Sequence, residues 1–189
     1  MYNQNFMKSV EKDLFGYTKK TRKPRLEAAI LKHDRITLEA RLERLRHLQN
    51  IFPRGYSFLS SIETAYVFDE AKMSYINGQF VATILLAQAH IEHHLQGYVA
   101  SRGENQLAKS GLAKITKFLR AKTLLHPFLL DRIDRLRRLR NPFSHLQDYD
   151  YPDSLTKRAV DHNYDFTATL KSDAEFALAL MYEVAVTRM

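Results

Sequence analysis

Tyr75-Ile76-Asn77-Gly78-Gln79-Phe80-Val81-Ala82-Thr83-Ile84-Leu85-Leu86-Ala87-Gln88-Ala89-His90-Ile91-Glu92 is the stretch that decides the fold. Asn-Gly is a turn or helix-stop signal, because glycine adopts the left-handed backbone conformation without steric cost. Beyond it, Phe80, Ile84, Ala87, Ile91, Leu95 and Tyr98 alternate at spacings of four and three. That period predicts a helix over residues 79–100 with one continuous buried stripe. Residues 57–76 read as the helix before the turn, so the centre of the chain is a helical hairpin.

Working outward, Ser101-Arg102-Gly103 marks the next break, and residues 104–123 read as helical with an interruption at Gly111. His126-Pro127 restarts a helix whose stripe is Leu129, Ile133, Leu136 and Leu139. Residues 150–169, with Pro152, read as a long polar loop. Ser172 then caps a last helix that has Asp173 and Glu175 in its first turn and buries Phe176, Leu180, Met181 and Val184. On the other side, Ile51-Phe52-Pro53-Arg54-Gly55 breaks the chain. Residues 23–50 precede it as a helix with Leu31, Leu38, Leu42, Leu45 and Leu48 at helical spacing; Thr21 caps it and Pro24 lies in its first turn. Residues 1–22 read as a basic, flexible arm. No run alternates with period two, so the expected fold is all-α: a helical bundle over residues 55–189 with an additional N-terminal helix.

Composition narrows the function classes. The 189 residues are 45% hydrophobic and 26% charged, as in a globular protein, and contain no cysteine. That excludes disulfide scaffolds, thiolate metal sites and cysteine nucleophiles. No apolar run reaches the roughly 20 residues of a membrane span, and the expectation is a cytoplasmic protein. The net charge of +8 is unevenly placed: residues 109–140 hold 10 Lys/Arg against 2 Asp/Glu, whereas residues 148–183 hold 3 against 8. Such a basic face suits a polyanion, and a solvated helical surface is the bland alternative.

Arg132, Arg135, Arg137, Arg138 and Arg140 lead into Asn141-Pro142-Phe143-Ser144-His145. A permanently charged guanidinium near a residue that titrates around neutrality suits phosphate handling coupled to proton transfer. Asn141 as N-cap and Pro142 at the first helical position predict a helix junction there. Arg140 would end one helix, and His145 would lie one turn inside the next, beside an anion-binding N-terminus. Metal-free RNA cleavage needs a proton carrier and a cationic clamp, because the ribose 2′-OH is itself the nucleophile. In that chemistry His145 is the general acid/base, Arg140 neutralises the phosphoryl oxygens and Asn141 orients the site, with Ser144 as a supporting hydroxyl.

The Arg140-Asn141-x-x-x-His145 pattern after a Leu/Arg-rich helix resembles the signature of HEPN domains, and the glycine-turn hairpin over residues 75–92 resembles their central hairpin. The resemblance covers roughly residues 57–147, and a proline within the motif departs from the helix formers often found there. It implies a small helical domain acting as a metal-independent endoribonuclease with no cofactor, in the role of a toxin, defence or stress effector. It also implies a homodimer with a composite cleft and a possible cognate inhibitor protein.

Other residues carry weaker signals. Glu92 is a candidate to pair with Arg140 and fix its rotamer, with Asp69 and Glu70 as competitors; each also reads as a solvent-facing carboxylate. Arg132, Arg135 and Arg138, at three-residue steps, are candidate RNA-phosphate contacts or simply a solvated face. Tyr149 and Tyr151 are candidates to stack on bases or to pack a loop. His90 and His94 have the spacing of a metal pair, but His-Ile-Glu-His-His is not the zinc-hydrolase pattern, and no metal is expected. Rival readings of the whole chain are a non-catalytic, antitoxin-like binding module and a regulator whose first 50 residues form a DNA-binding arm.

Overall fold

A computed structural model describes residues 19–52, 61–148 and 150–187. Among them the chain is all-α, with no strand. The helices are α1 (Lys19–Ile51), α2 (Ile62–Ile76), α3 (Phe80–Ser101), α4 (Asn105–Ala108), α5 (Leu112–Ala121), α6 (Pro127–Ser144), α7 (Leu155–Arg158) and α8 (Phe166–Val186), with a 3-10 turn over Ala159–His162. Met1–Leu42 and Glu43–Met189 form two units. In the first, α1 already runs from Lys19, ahead of the expected cap Thr21; Lys and Arg are good helix formers, and Pro24 falls inside the helix. Leu26, Ile30, Leu31 and Ile36 of this part are exposed. Residues 19–22, expected to belong to the flexible arm over residues 1–22, are instead the first turn of α1. Residues 1–18 of that arm, the breaking residues Pro53, Arg54 and Gly55, and the expected helix start at residue 57 lie outside the described residues.

The second unit is built around α3. The α2–α3 turn closes as the sequence predicts: Gly78 has φ +78°, its N–H donates to Tyr75 O at 2.9 Å, and Gln79 N–H donates to Ser74 O at 2.8 Å. This pairing satisfies the carbonyls orphaned at the end of α2. Arg44 Nε donates to Ile76 O at 2.8 Å and fastens the end of α1 to the same turn. The stripe Phe80, Ile84, Ala87, Ile91 and Leu95 is buried, as expected, but its last member is Val99; Tyr98 is half-buried. Each of its larger apolar side chains contributes roughly 1.5–3 kcal/mol of burial. α3 packs most extensively against α2 and α8 and also against α4, α5 and α6. Leu48 and Phe52 join this core, with Phe52 edge-on to Phe68 and Tyr182.

α8 starts six residues before the expected cap. Asp165, not Ser172, is the N-cap, and its Oδ1 accepts the Ala168 N–H at 2.9 Å. The turn residues Asn163 and Tyr164 have positive φ and deliver the chain to that cap. The carboxylates assigned to a first helical turn instead have long-range partners. Asp173 is ion-paired with Arg158 from α7, and Glu175 accepts the Tyr75 hydroxyl at 2.6 Å. The expected 150–169 loop therefore contains α7 and a 3-10 turn, anchored by buried Ala159.

Candidate active site

α6 begins as expected. His126 is the N-cap, its Nδ1 accepting the Phe128 N–H at 3.2 Å, and Pro127 occupies the first turn. Leu129, Leu130, Ile133, Leu136 and Leu139 are buried and fix the face of the helix. The predicted junction at Asn141-Pro142 does not form: α6 runs through Pro142 to Ser144. Phe143 explains why, since it packs against the core and needs helical register to reach it. Two residues from the helix end at Ser144, the proline removes one backbone hydrogen bond and does not break the segment.

His145 is consequently the C-cap of α6, not a residue inside a following helix. It has φ −140° and ψ 140°, and its N–H donates to Asn141 O at 2.9 Å. The helix end beside it is rich in carbonyl groups, opposite in sign to the expected anion-binding terminus. What brings the motif together is the C-terminal turn itself. Arg140 Nη1 lies 3.1 Å from His145 Nε2 and 3.5 Å from Asn141 Oδ1. Arginine only donates, so Nε2 is the acceptor; this contact takes the neutral imidazole with its proton on Nδ1. Arg140 and Asn141 are half-buried, whereas Ser144 and His145 are exposed.

Arg140, Asn141 and His145 form one wall of an open cleft of about 350 Å³, whereas Ser144, the expected supporting hydroxyl, does not line it. The opposite wall is the start of α5, from Gly111 to Lys114, and the floor is Gln88 and Glu92 of α3; Arg137 completes the α6 side. A helix N-terminus does face the cleft, but it belongs to α5. Its first N–H, from Leu112, donates to Glu92 Oε1 at 3.1 Å. Glu92 thus shares the cleft with Arg140 while its carboxylate caps α5. Gln88 is 3% exposed, and its Oε1 has no hydrogen-bond partner among the described residues. Arg137 Nε is likewise buried without one, 3.8 Å from Asp134 Oδ1.

The remaining candidates lie elsewhere or are engaged. Asp69 accepts Lys72 Nζ at 2.8 Å, and Glu70 is exposed; neither lines the cleft. Arg132 is ion-paired with Glu183, Arg138 lies 3.5 Å from Asp153, and the Arg135 guanidinium sits 4.4 Å above the Phe176 ring. By contrast α5 and its flanks carry Lys109, Lys114, Lys117 and Lys122, all exposed, and residues 109–122 contain no acidic residue. Tyr151 is half-buried, and Tyr149 lies outside the described residues.

His90 is buried beneath Phe68, with Nδ1 3.2 Å from Thr64 O; a carbonyl only accepts, so Nδ1 carries the proton. Burial pushes its pKa down to about 4, and that of His94 also falls on burial. No group of three or more His, Asp or Glu arranged for a metal ion is found among the described residues. None of the helices searched is long and apolar enough to cross a membrane.

Sequence reasoning found Arg140, Asn141, His145 and Glu92, which the structure brings to one cleft, but not Gln88, Arg137 or Lys114. For Gln88 the available signal was an amide amid the apolar and small residues of α3. For Lys114 and Arg137 no local signal separates a cleft residue from its basic neighbours. Comparison with family models, curated proteins and solved structures finds no match to this chain.

Proposed function

We propose that the chain is a metal-independent endoribonuclease of HEPN type, with His145 as general acid/base and Arg140 as the phosphate clamp. The observation that carries this reading is the 3.1 Å contact between Arg140 Nη1 and His145 Nε2 on the wall of an open cleft. As substrate enters, a phosphoryl oxygen replaces Nε2 as the acceptor for Arg140. That frees the Nε2 lone pair to take the proton of a ribose 2′-OH attacking in line. Attack forms the bond from O2′ to phosphorus and breaks the bond from phosphorus to O5′; the leaving O5′ takes up a proton from water, and His145 returns the proton it removed to solvent. The product is a 2′,3′-cyclic phosphate and a 5′-hydroxyl.

The cleft's charge fits an RNA strand. Arg137, Arg140 and Lys114 face it against the single carboxylate of Glu92, which is already bonded to Leu112 N–H. The acid-free lysines around α5 extend this charge beyond the cleft, whereas Arg132 and Arg138 are opposed by carboxylates. We accordingly assign the main RNA path to α5, with Arg135 and Arg138 as secondary contacts. By family analogy the role is a toxin, defence or stress effector in the cytoplasm. A homodimer would join two such clefts, and a cognate inhibitor protein would silence them.

The deciding experiment is incubation of the purified chain with RNA in EDTA, followed by end-group analysis. Cyclic phosphate ends that disappear in His145→Ala support the proposal, and cleavage unaffected by that change sinks it. The second reading, a non-catalytic binding module, rests on the exposed apolar residues of the first half of α1 and predicts RNA or protein binding without cleavage.

A further inference from the structure

Gln88 is a polar residue where folding favours an apolar one. It lies in the middle of α3, is 3% exposed, and is flanked on the same helix by fully buried Ala87 and Ile91. Its Oε1 has no donor among the described residues. An acceptor buried without a donor destabilises the fold, while an apolar side chain of the same size would pack there without that cost. Nothing in the packing of α3 calls for an amide. The residue nevertheless lines the cleft that holds Arg140 and His145.

The geometry points to Gln88 as the residue that reads the nucleoside in this cleft. This rests on the RNA-cleaving reading above and adds a recognition group to it. An amide oxygen needs a ligand donor, which a phosphate diester does not have and which a nucleobase N–H or ribose O–H supplies. The cations beside it, Arg137 and Arg140, can donate to an anion, and Arg137 Nε, 3.8 Å from Asp134 Oδ1, is itself buried without a hydrogen-bond partner among the described residues. A ligand that presents an anion to the arginines and a donor to Gln88 is a nucleotide. Glu92, the other acceptor on the floor, already holds the Leu112 N–H. The terminal amide torsion of glutamine is broad, so its oxygen can turn towards an incoming donor at little cost.

Gln88→Met separates this role from a packing defect, because it removes the orphaned acceptor and keeps the volume. The free variant should melt about 2–4 °C higher than the parent chain. Titration with the four nucleoside 5′-monophosphates should show affinity for at least one falling about tenfold, as for one lost buried hydrogen bond, with inorganic phosphate binding unchanged. On oligoribonucleotides kcat/KM should fall similarly and the preference among bases or between ribose and deoxyribose should flatten. A Gln88→Met variant that binds every nucleotide like the parent overturns the inference, even if it is more stable. If the parent binds nucleotides through Gln88 but cleaves no RNA, the inference stands and the nuclease reading fails. If the parent binds no nucleotide better than phosphate, the inference fails whatever the cleavage result.

Discussion

Arg140 and His145 meet across one turn of chain: Nη1 of the arginine donates to Nε2 of the histidine over 3.1 Å at the C-terminal end of α6. Because both side chains leave the same helix end, their spacing is set by five residues of local backbone. Removing either group should leave the core intact. Arg140→Ala and His145→Ala are therefore expected to change stability by no more than about 0.5–1 kcal/mol. Loss of the proton carrier should lower the cleavage rate by about 10²–10⁴-fold. Arg140→Lys should not restore activity, since an ammonium lacks the planar fork. Circular dichroism and single-turnover assays in EDTA check each part, and an active Arg140→Lys enzyme would argue against a bidentate clamp.

Pro142 tests the continuity of α6. Inside a helix it forfeits the hydrogen bond to Arg138 O, at a cost of about 3 kcal/mol relative to alanine. Proline also restricts the unfolded chain, which offsets about 0.4–1 kcal/mol of that. Pro142→Ala should thus stabilise the protein by about 1–3 kcal/mol in urea denaturation. At the start of a helix the same change would be nearly neutral, so a null result favours a break at Asn141.

His90 sets an acid limit. Its pKa falls from the ordinary 6.5 to about 4 in the folded chain because burial disfavours imidazolium. The unfolded state then binds more protons between pH 6.5 and 4, so stability declines as pH falls through that window and is independent of this group above it. The loss is on the order of 3 kcal/mol across the window. Urea titrations at pH 7, 5.5 and 4 should show a shallower decline in His90→Gln than in the parent. An imidazole that titrates near 6.5 by NMR would contradict the assignment.

Asp173 and Arg158 form an ion pair between α8 and α7 with both side chains largely buried. Asp173→Ala strands the guanidinium, and stability should fall by about 3–5 kcal/mol. Replacing both partners by apolar residues should recover much of that loss. Thermal melts of the single and double variants give the comparison, and additive losses would show that the two groups act separately.

The α5 lysines predict an ionic-strength signature. Lys114→Gln and Lys117→Gln should each flatten the slope of log affinity for single-stranded RNA against log salt by about 0.7, the release expected for one phosphate contact. Arg132→Gln, which frees Glu183 of its partner, should act mainly on stability. Slopes unchanged in both lysine variants would move the RNA path away from α5.

The sequence by itself determined the helical class, the α2–α3 hairpin and the Arg140–His145 motif, because these depend on periodicity and on residues within a few positions of each other. Asn77-Gly78 announces its turn in any context, and the stripe from Phe80 to Leu95 has a face to bury wherever its partners lie. It misplaced the local events that distant packing controls. Phe143 carries α6 over a proline that reads as a stop, and Asp165 starts a helix that Ser172 was expected to cap. Only the tertiary structure decided the composition of the cleft. Gln88, Leu112 and Arg140 come from three helices up to 52 residues apart in number. Their meeting follows from how α5 and α6 close on α3, and no spacing along the chain records it. The same packing decides which charges are already satisfied: it gives the α6 arginines carboxylate and aromatic partners while the α5 lysines face solvent.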